Sequence, residues 1–185
     1  SSGPGPAGAF RVPPSVPKDG DEIVPFTRRR RIIADHMVYS KQTAPDVVTF
    51  AECDLHRTAV LRDQHKAQFK KDGLSLTYLA FAIAATARAL REFPELNARV
   101  LDDAFVKLAE VNVGIAVDTD QGLVVPVIRT TDELTIRGIA RAVADVAERA
   151  RAGNLTPNDL AGKTFTVSNP GRRGKVVGGA IISQP

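Results

Sequence analysis

A single cysteine, Cys53, excludes a disulfide framework and any paired-thiolate metal spacing of the Cys-x-x-Cys kind. That scarcity suits a reducing compartment. Cys53 lies in a β-branched run, where packing in a strand explains a lone thiol better than catalysis does. Tryptophan is absent and aromatic residues make up 5% of the chain, so the basic residues have no stacking platforms interleaved with them. This counts against nucleic-acid binding. No stretch approaches the roughly 18 apolar residues of a membrane span, and the first residues lack the basic, apolar and small-residue regions of a signal peptide. A soluble intracellular chain is expected, which leaves the formal sequon at Asn154 with little meaning.

The 185 residues, with an average apolar fraction, are enough for one domain that buries about 70% of its unfolded surface without a metal or disulfide staple. The net charge of +4 owes much to the run Arg28-Arg29-Arg30-Arg31. Such a run would suit phosphate contacts. It also reads as the solvated face of a short helix in which Ile32, Ile33 and Met37 anchor one side. Residues 1–20 are rich in Gly, Pro, Ala and Ser and are expected to form a flexible linker, with the domain occupying 21–185.

From Asp46 to Asp54 the β-branched, partly alternating sequence predicts a strand. An amphipathic helix is expected over Leu55 to Lys71, then a helix over Leu76 to Glu92 that is apolar on most sides and therefore central, with Ser75 as a possible N-cap. Asp102-Asp103 marks a hairpin turn between short strands around Arg99 and Val106. Strands at about 111–117 and 123–129 flank the turn from Asp118 to Gly122, and apolar residues at helical spacing predict a helix over Thr135 to Arg151 with Gly153 near its end. After the turn at Pro157 come strands near 164–168, expected to be buried, and 176–182. The pattern is that of an α/β domain, a mixed sheet layered with helices.

The run from Gly162 to Gly171 ends a strand on the polar pair Ser168-Asn169 and then breaks sharply. With Pro25-Phe-Thr through Met37, Phe93-Pro94-Glu-Leu-Asn97-Ala, Gly114-Ile-Ala-Val-Asp118-Thr and Gly122-Leu-Val-Val-Pro126, it makes a series in which order matters as much as content. In this series the chain resembles, from about Val24 to Pro185, the catalytic domain of the dihydrolipoamide acyltransferases, the core enzymes of the 2-oxo acid dehydrogenase complexes. The resemblance implies a layered sandwich of the chloramphenicol acetyltransferase-like type assembled as a trimer, with trimers building cubic or icosahedral shells. It also implies a lipoyl group carried by a separate upstream domain, a small upstream domain through which the dehydrogenase and dihydrolipoamide dehydrogenase components are bound, and a cytoplasmic location, or the mitochondrial matrix in a eukaryote. The chain departs from the family at Asp46, where His is common, at Lys163 in place of a second Gly, and in the loop Arg172-Arg173-Gly174.

The implied reaction moves an acyl group between dihydrolipoamide and coenzyme A, which needs a general base for the thiol and a donor to the tetrahedral oxyanion. Ser168 matches the family's hydroxyl before Asn and is the candidate donor; the alternative is a serine that satisfies the turn after its strand. Asn169 either orients coenzyme A or caps the same turn. Arg62, Ser75 and Asp118 match positions lining the coenzyme A channel, where arginine suits phosphate and Ser and Asp suit hydrogen bonds along the carrier. Their plainer roles are a solvated helix residue, an N-cap and a turn former. No metal site is expected. The family's base begins a His-x-x-x-Asp-Gly motif, which none of His36, His56 and His65 does. The resemblance therefore implies an acyltransferase domain whose histidine follows Pro185, the alternative being a scaffold of the same fold that assembles without catalysis.

Overall fold

The computed structural model describes residues 15–120, 122–169, 178, 179, 181, 182 and 184. The chain divides into two compact units, Ser1–Ala51 with Val176–Pro185, and Glu52–Lys175.

In the first unit Thr27 caps helix α1, Arg28–Thr43, its hydroxyl accepting from the Arg30 N–H at 3.3 Å. The helix stops just before Pro45, whose ring disfavours helical backbone in the residue ahead of it. At 16 residues it is longer than the short helix expected. Ile32 and Ile33 do not anchor it, both being at least half exposed, while Met37 is half-buried. The strand expected from Asp46 to Asp54 does not form, and no described residue from 178 on is in a strand. These two segments do meet, since a Cβ on Gly179 would come within 3.1 Å of Val48. The Gln184 N–H also reaches the Ser40 hydroxyl at 3.4 Å. The β-branched residues of the first segment are exposed, Val47 at 93%. Cys53, expected to pack in that strand, is exposed.

The second unit holds the core. Helix α2 spans His56–Lys71 and α3 spans Tyr78–Glu92, whose Ala80, Ile83, Ala87 and Leu90 are buried, as the nearly all-apolar sequence requires. A 3₁₀ turn at Pro94–Leu96 leads into the hairpin of β1, Ala98–Val100, and β2, Phe105–Lys107. Asn97 closes the base of that hairpin, its amide donating to the carbonyls of Leu108 and Glu110 at 3.1 and 2.8 Å. The next hairpin keeps a single register throughout, although it is broken into β3, Val113–Ile115, β4, Val117–Thr119, β5, Gly122–Val124, and β6, Val127–Ile128. Pro126 sits at the break; it has no N–H to give, but its carbonyl still accepts from Ile115 at 2.9 Å.

Thr135 caps helix α4, Ile136–Arg151, by accepting from the Gly138 N–H at 3.2 Å. The helix ends where Gly153 turns left-handed at φ +70°. A one-turn helix α5, Pro157–Leu160, precedes β7, Phe165–Val167. The three-stranded sheet has the order β6-β3-β7, with β6 antiparallel and β7 parallel to the central β3. Val111, Val113, Ile115 and Val117 alternate toward one face and join Ile83, Ile139, Ala140 and Val146 of α3 and α4 in the core. On the opposite face Gly114 is crowded, for a Cβ there would lie 2.9 Å from Val125 Cγ1 and 3.5 Å from Thr166 Oγ1.

The junction of α4 and α5 rests on charge. Arg149 bridges Asp145 and Asp159, each at 2.8 Å, and its own pKa is raised by the two carboxylates. Arg149, with hydrogen bonds from the Thr156 backbone and hydroxyl, holds the Asp159 carboxyl down to about 2. A depressed carboxylate stabilises the fold fully above its ordinary pKa near 3.8 and loses that contribution as pH falls through about 2. Asp159→Asn should therefore lower the melting temperature at pH 5, with the gap to the unsubstituted protein closing toward pH 2. A gap that is constant with pH would disprove the linkage.

Candidate functional site

Ser168 follows β7 directly, and its position is set by the parallel pairing of β7 with β3. Phe165 lies beside Val113, Thr166 beside Gly114 and Val167 beside Ile115, and the Ala116 N–H donates to the Val167 carbonyl at 3.3 Å. Carried one step on, the register puts Ser168 alongside Ala116, two residues from Asp118 or about 7 Å along the strand. Strand alternation gives Ser168 the side of Thr166, and Asp118 the side of Gly114. Ser168, Asn169 and Asp118 are all exposed and share one end of the sheet. β7 itself is not the buried strand expected, since Phe165 and Thr166 are exposed. It is an edge of the described sheet, paired on one side only.

Asp118 also lines a cavity of about 220 Å³ with Thr119, Asp120 and Arg151, the last residue of α4. Arg151 enters the sequence reading only as the end of the helix expected over Thr135 to Arg151. Its nearness to Asp118 depends on the packing of α4 beside β4.

Arg62 and Ser75 meet at another place, the junction of α2 and α3. Arg62 is not a solvated helix residue: its Nε donates to the Leu76 carbonyl at 3.0 Å, Nη1 reaches Asp63 at 3.3 Å, and the guanidinium lies 5.1 Å from the centre of the Tyr78 ring. The first of these bonds ties Arg62 to the residue after Ser75. Ser75 does not cap α3, because the capping position falls at Thr77, leaving the Ser75 side chain exposed in the connecting loop.

None of the three histidines lies on the strand ends that carry Ser168 and Asp118. His36 is on α1, His56 opens α2 and His65 lies within it, the latter two exposed. The sharp break expected after Asn169, like the Arg172-Arg173-Gly174 loop, lies outside the described residues.

One residue that sequence reading passed over holds the serine's strand in place. Asn112 is 2% exposed, and its amide donates to the Gly162 carbonyl at 3.1 Å and to Glu110 at 2.7 Å. Its side-chain oxygen accepts from the Thr130 N–H at 2.9 Å, and its backbone carbonyl accepts from Thr164 at 2.8 Å. Among the described residues Thr130 is the non-glycine residue with positive φ, at 43°, a costly conformation for a β-branched side chain that the Asn112 bond helps to hold. A polar residue opening an otherwise apolar strand was the available signal. Asn112→Ala would remove the part-buried hydrogen bonds to the Thr130 N–H and the Gly162 carbonyl, at about 0.5–1.5 kcal/mol for each. A loss of about 1–3 kcal/mol in urea unfolding is expected, and a loss well under about 1 kcal/mol would show that the network does not hold β7.

A model of the family described as 2-oxoacid dehydrogenases acyltransferase (catalytic domain) matches residues 18–185. The chain belongs to this family. Among its relatives, the lipoamide acyltransferase component of the branched-chain alpha-keto acid dehydrogenase complex of Bacillus subtilis is 41% identical over 167 residues, 90% of this chain and 39% of that one. The acyltransferase-family chain thus spans about two fifths of that relative's length. Two solved structures share its fold with TM-scores of 0.87, each covering 94% of this chain and 74% of the other. One, 33% identical, is the dihydrolipoamide acetyltransferase of Azotobacter vinelandii, studied for the role of a serine, a histidine and an asparagine in its catalytic mechanism. The other, 34% identical, is the cubic core of a pyruvate dehydrogenase multienzyme complex. The layered α/β fold with a mixed sheet is that of these acyltransferase cores.

Proposed function

We propose that the chain is the acyltransferase core of a 2-oxo acid dehydrogenase complex, transferring an acyl group between dihydrolipoamide and coenzyme A. The observation that carries this reading is Ser168 at the open end of the β3–β7 pair, aimed by a strand whose register is fixed by Asn112 and Thr164. A base takes the proton of one thiol, and the sulfur attacks the thioester carbonyl. The Ser168 hydroxyl donates to the oxyanion that forms. Collapse then expels the other sulfur, which takes the proton back. The base is a histidine of a His-x-x-x-Asp-Gly motif, supplied against Ser168 by a neighbouring subunit of a trimer. Asn169 and Asp118 line the channel at the serine's end, while Arg62 and Ser75 hold the carrier at the α2–α3 junction.

The same reading makes copies of this chain its first partners, in trimers that build a cubic or icosahedral core. The dehydrogenase and dihydrolipoamide dehydrogenase components are its further partners, with the lipoyl group on a separate domain and the assembly in the cytoplasm or mitochondrial matrix. The test is acyl exchange between coenzyme A and dihydrolipoamide, with acetyl, succinyl and branched-chain thioesters, in a polypeptide joining this chain to a His-x-x-x-Asp-Gly segment. Transfer to one thioester series is expected there and not with the 185 residues alone. Transfer by the chain alone, abolished by replacing one of His36, His56 or His65, would overturn the assignment of the base.

A further inference from the structure

One departure of the chain from its family puts a charge beside the serine's strand. Lys163 lies two residues before β7, and its side chain crosses the sheet at the paired residues Gly114 and Thr166. A Cβ on Gly114 would lie 3.4 Å from Lys163 Cδ and 3.5 Å from Thr166 Oγ1, so the lysine stem runs over the room that the glycine leaves open. Lys163 is half-buried there. Its carbonyl accepts from Arg99 at 3.2 Å, which ties down the backbone from which the stem extends. Nζ, by contrast, has no hydrogen bond or ion pair among the described residues. The neighbouring Arg129, packed against Gly162, is fully engaged, its Nη2 donating to Asn158 at 2.9 and 3.0 Å and to the Ala161 carbonyl at 3.3 Å. An apolar side chain would cover Gly114 as well as the lysine stem does. The ammonium at its tip is left for something else.

Thr166 and Ser168 share one side of β7, so the Lys163 stem reaches the serine's own face, two residues or about 7 Å along the strand from Ser168. An acyl group whose thioester carbonyl sits at Ser168 can extend its far end over that span. We propose that Lys163 is a specificity residue for the acyl group, its ammonium receiving the distal carboxylate of a dicarboxylic acyl chain such as succinyl while Ser168 serves the thioester carbonyl. Lysine donates to a carboxylate as a point charge on a flexible stem, which suits the free end of a chain. The assignment rests on the acyl-transfer reading and on Ser168 as its oxyanion donor. It narrows that reading to acyl groups with a terminal carboxylate.

Succinyl- and butyryl-coenzyme A make the comparison, because they share a four-carbon chain and differ in the terminal carboxylate. In the polypeptide joined to a His-x-x-x-Asp-Gly segment, kcat/KM should favour succinyl over butyryl by about 10- to 100-fold, the range expected for a hydrogen bond between charged groups. Lys163→Met keeps the stem and removes the charge, and it should lower that ratio by at least about 5-fold. Lys163→Glu should bring the ratio below one, and Lys163→Arg should keep most of it. Each figure is a ratio within one variant, so a change in the folded fraction cancels. A ratio below about 5 in the unsubstituted polypeptide, or one that Lys163→Met moves by less than about 5-fold, would overturn the role of Lys163 and leave the acyl-transfer reading standing. No transfer of any thioester, acetyl and branched-chain included, would remove both.

Discussion

Ser168→Ala should lower kcat for acyl transfer by about 10²- to 10³-fold, the cost of losing one donor to a tetrahedral oxyanion. The KM for either thiol should stay within about 3-fold, because the hydroxyl is needed where charge develops in the transition state and not where substrate rests. That division separates the oxyanion role from the plainer one. A serine that only satisfied the turn after β7 would on removal lower stability and change kcat by less than about 5-fold, and that result would end the assignment. Ser168→Thr, which keeps a hydroxyl, should recover part of the rate if the added methyl is accommodated at this exposed position. The measurement belongs in the polypeptide that joins this chain to a His-x-x-x-Asp-Gly segment, with urea midpoints taken beside the kinetics.

Ile83→Ala should be the costliest single truncation of the core. Ile83 is fully buried at the middle of α3, within the cluster that includes Val113, Ile115 and Ile139. Removing three carbons there loses transfer energy and leaves a cavity that helices on one side and a sheet on the other cannot easily close, a combination worth about 2–5 kcal/mol. The urea midpoint should fall by about 1–2 M for an m-value of a few kcal/mol per molar. By contrast Ile33→Ala, at a position 50% exposed on α1, should move the midpoint of the isolated chain by no more than about 0.3 M. Equal losses at the two positions would mean that the buried cluster is not where stability is concentrated.

Helices α2, α3 and α4 were legible because their signals are local. Apolar residues recur at helical spacing, Thr135 stands at the cap of α4, and Gly153 provides the left-handed exit. The hairpin at Asp102-Asp103 was legible for the same reason. The run from Asp46 to Asp54 carried an equally good strand signal and made no strand, since β-branched alternation describes what a chain could pair with and not whether a partner is present. Ile32 and Ile33 misled in the same way, as an apolar stripe needs a surface to pack on. Of the site, Ser168, Asn169 and Asp118 could be named from motifs, but their common end of the sheet could not.

The sequence by itself determined the family, the helices and the residue types the chemistry requires, because motifs, caps and periodicities are written over a few consecutive residues. Only the tertiary structure decided that β7 pairs in parallel with β3 some fifty residues earlier, bringing Ser168 beside Ala116. It also decided that Arg62 is clasped by Leu76 and Tyr78, and that Asn112 joins three separate segments. The reason is that such pairings are chosen by competition among all surfaces the chain can bury and all backbone groups it must satisfy, and no local pattern encodes the outcome of that competition.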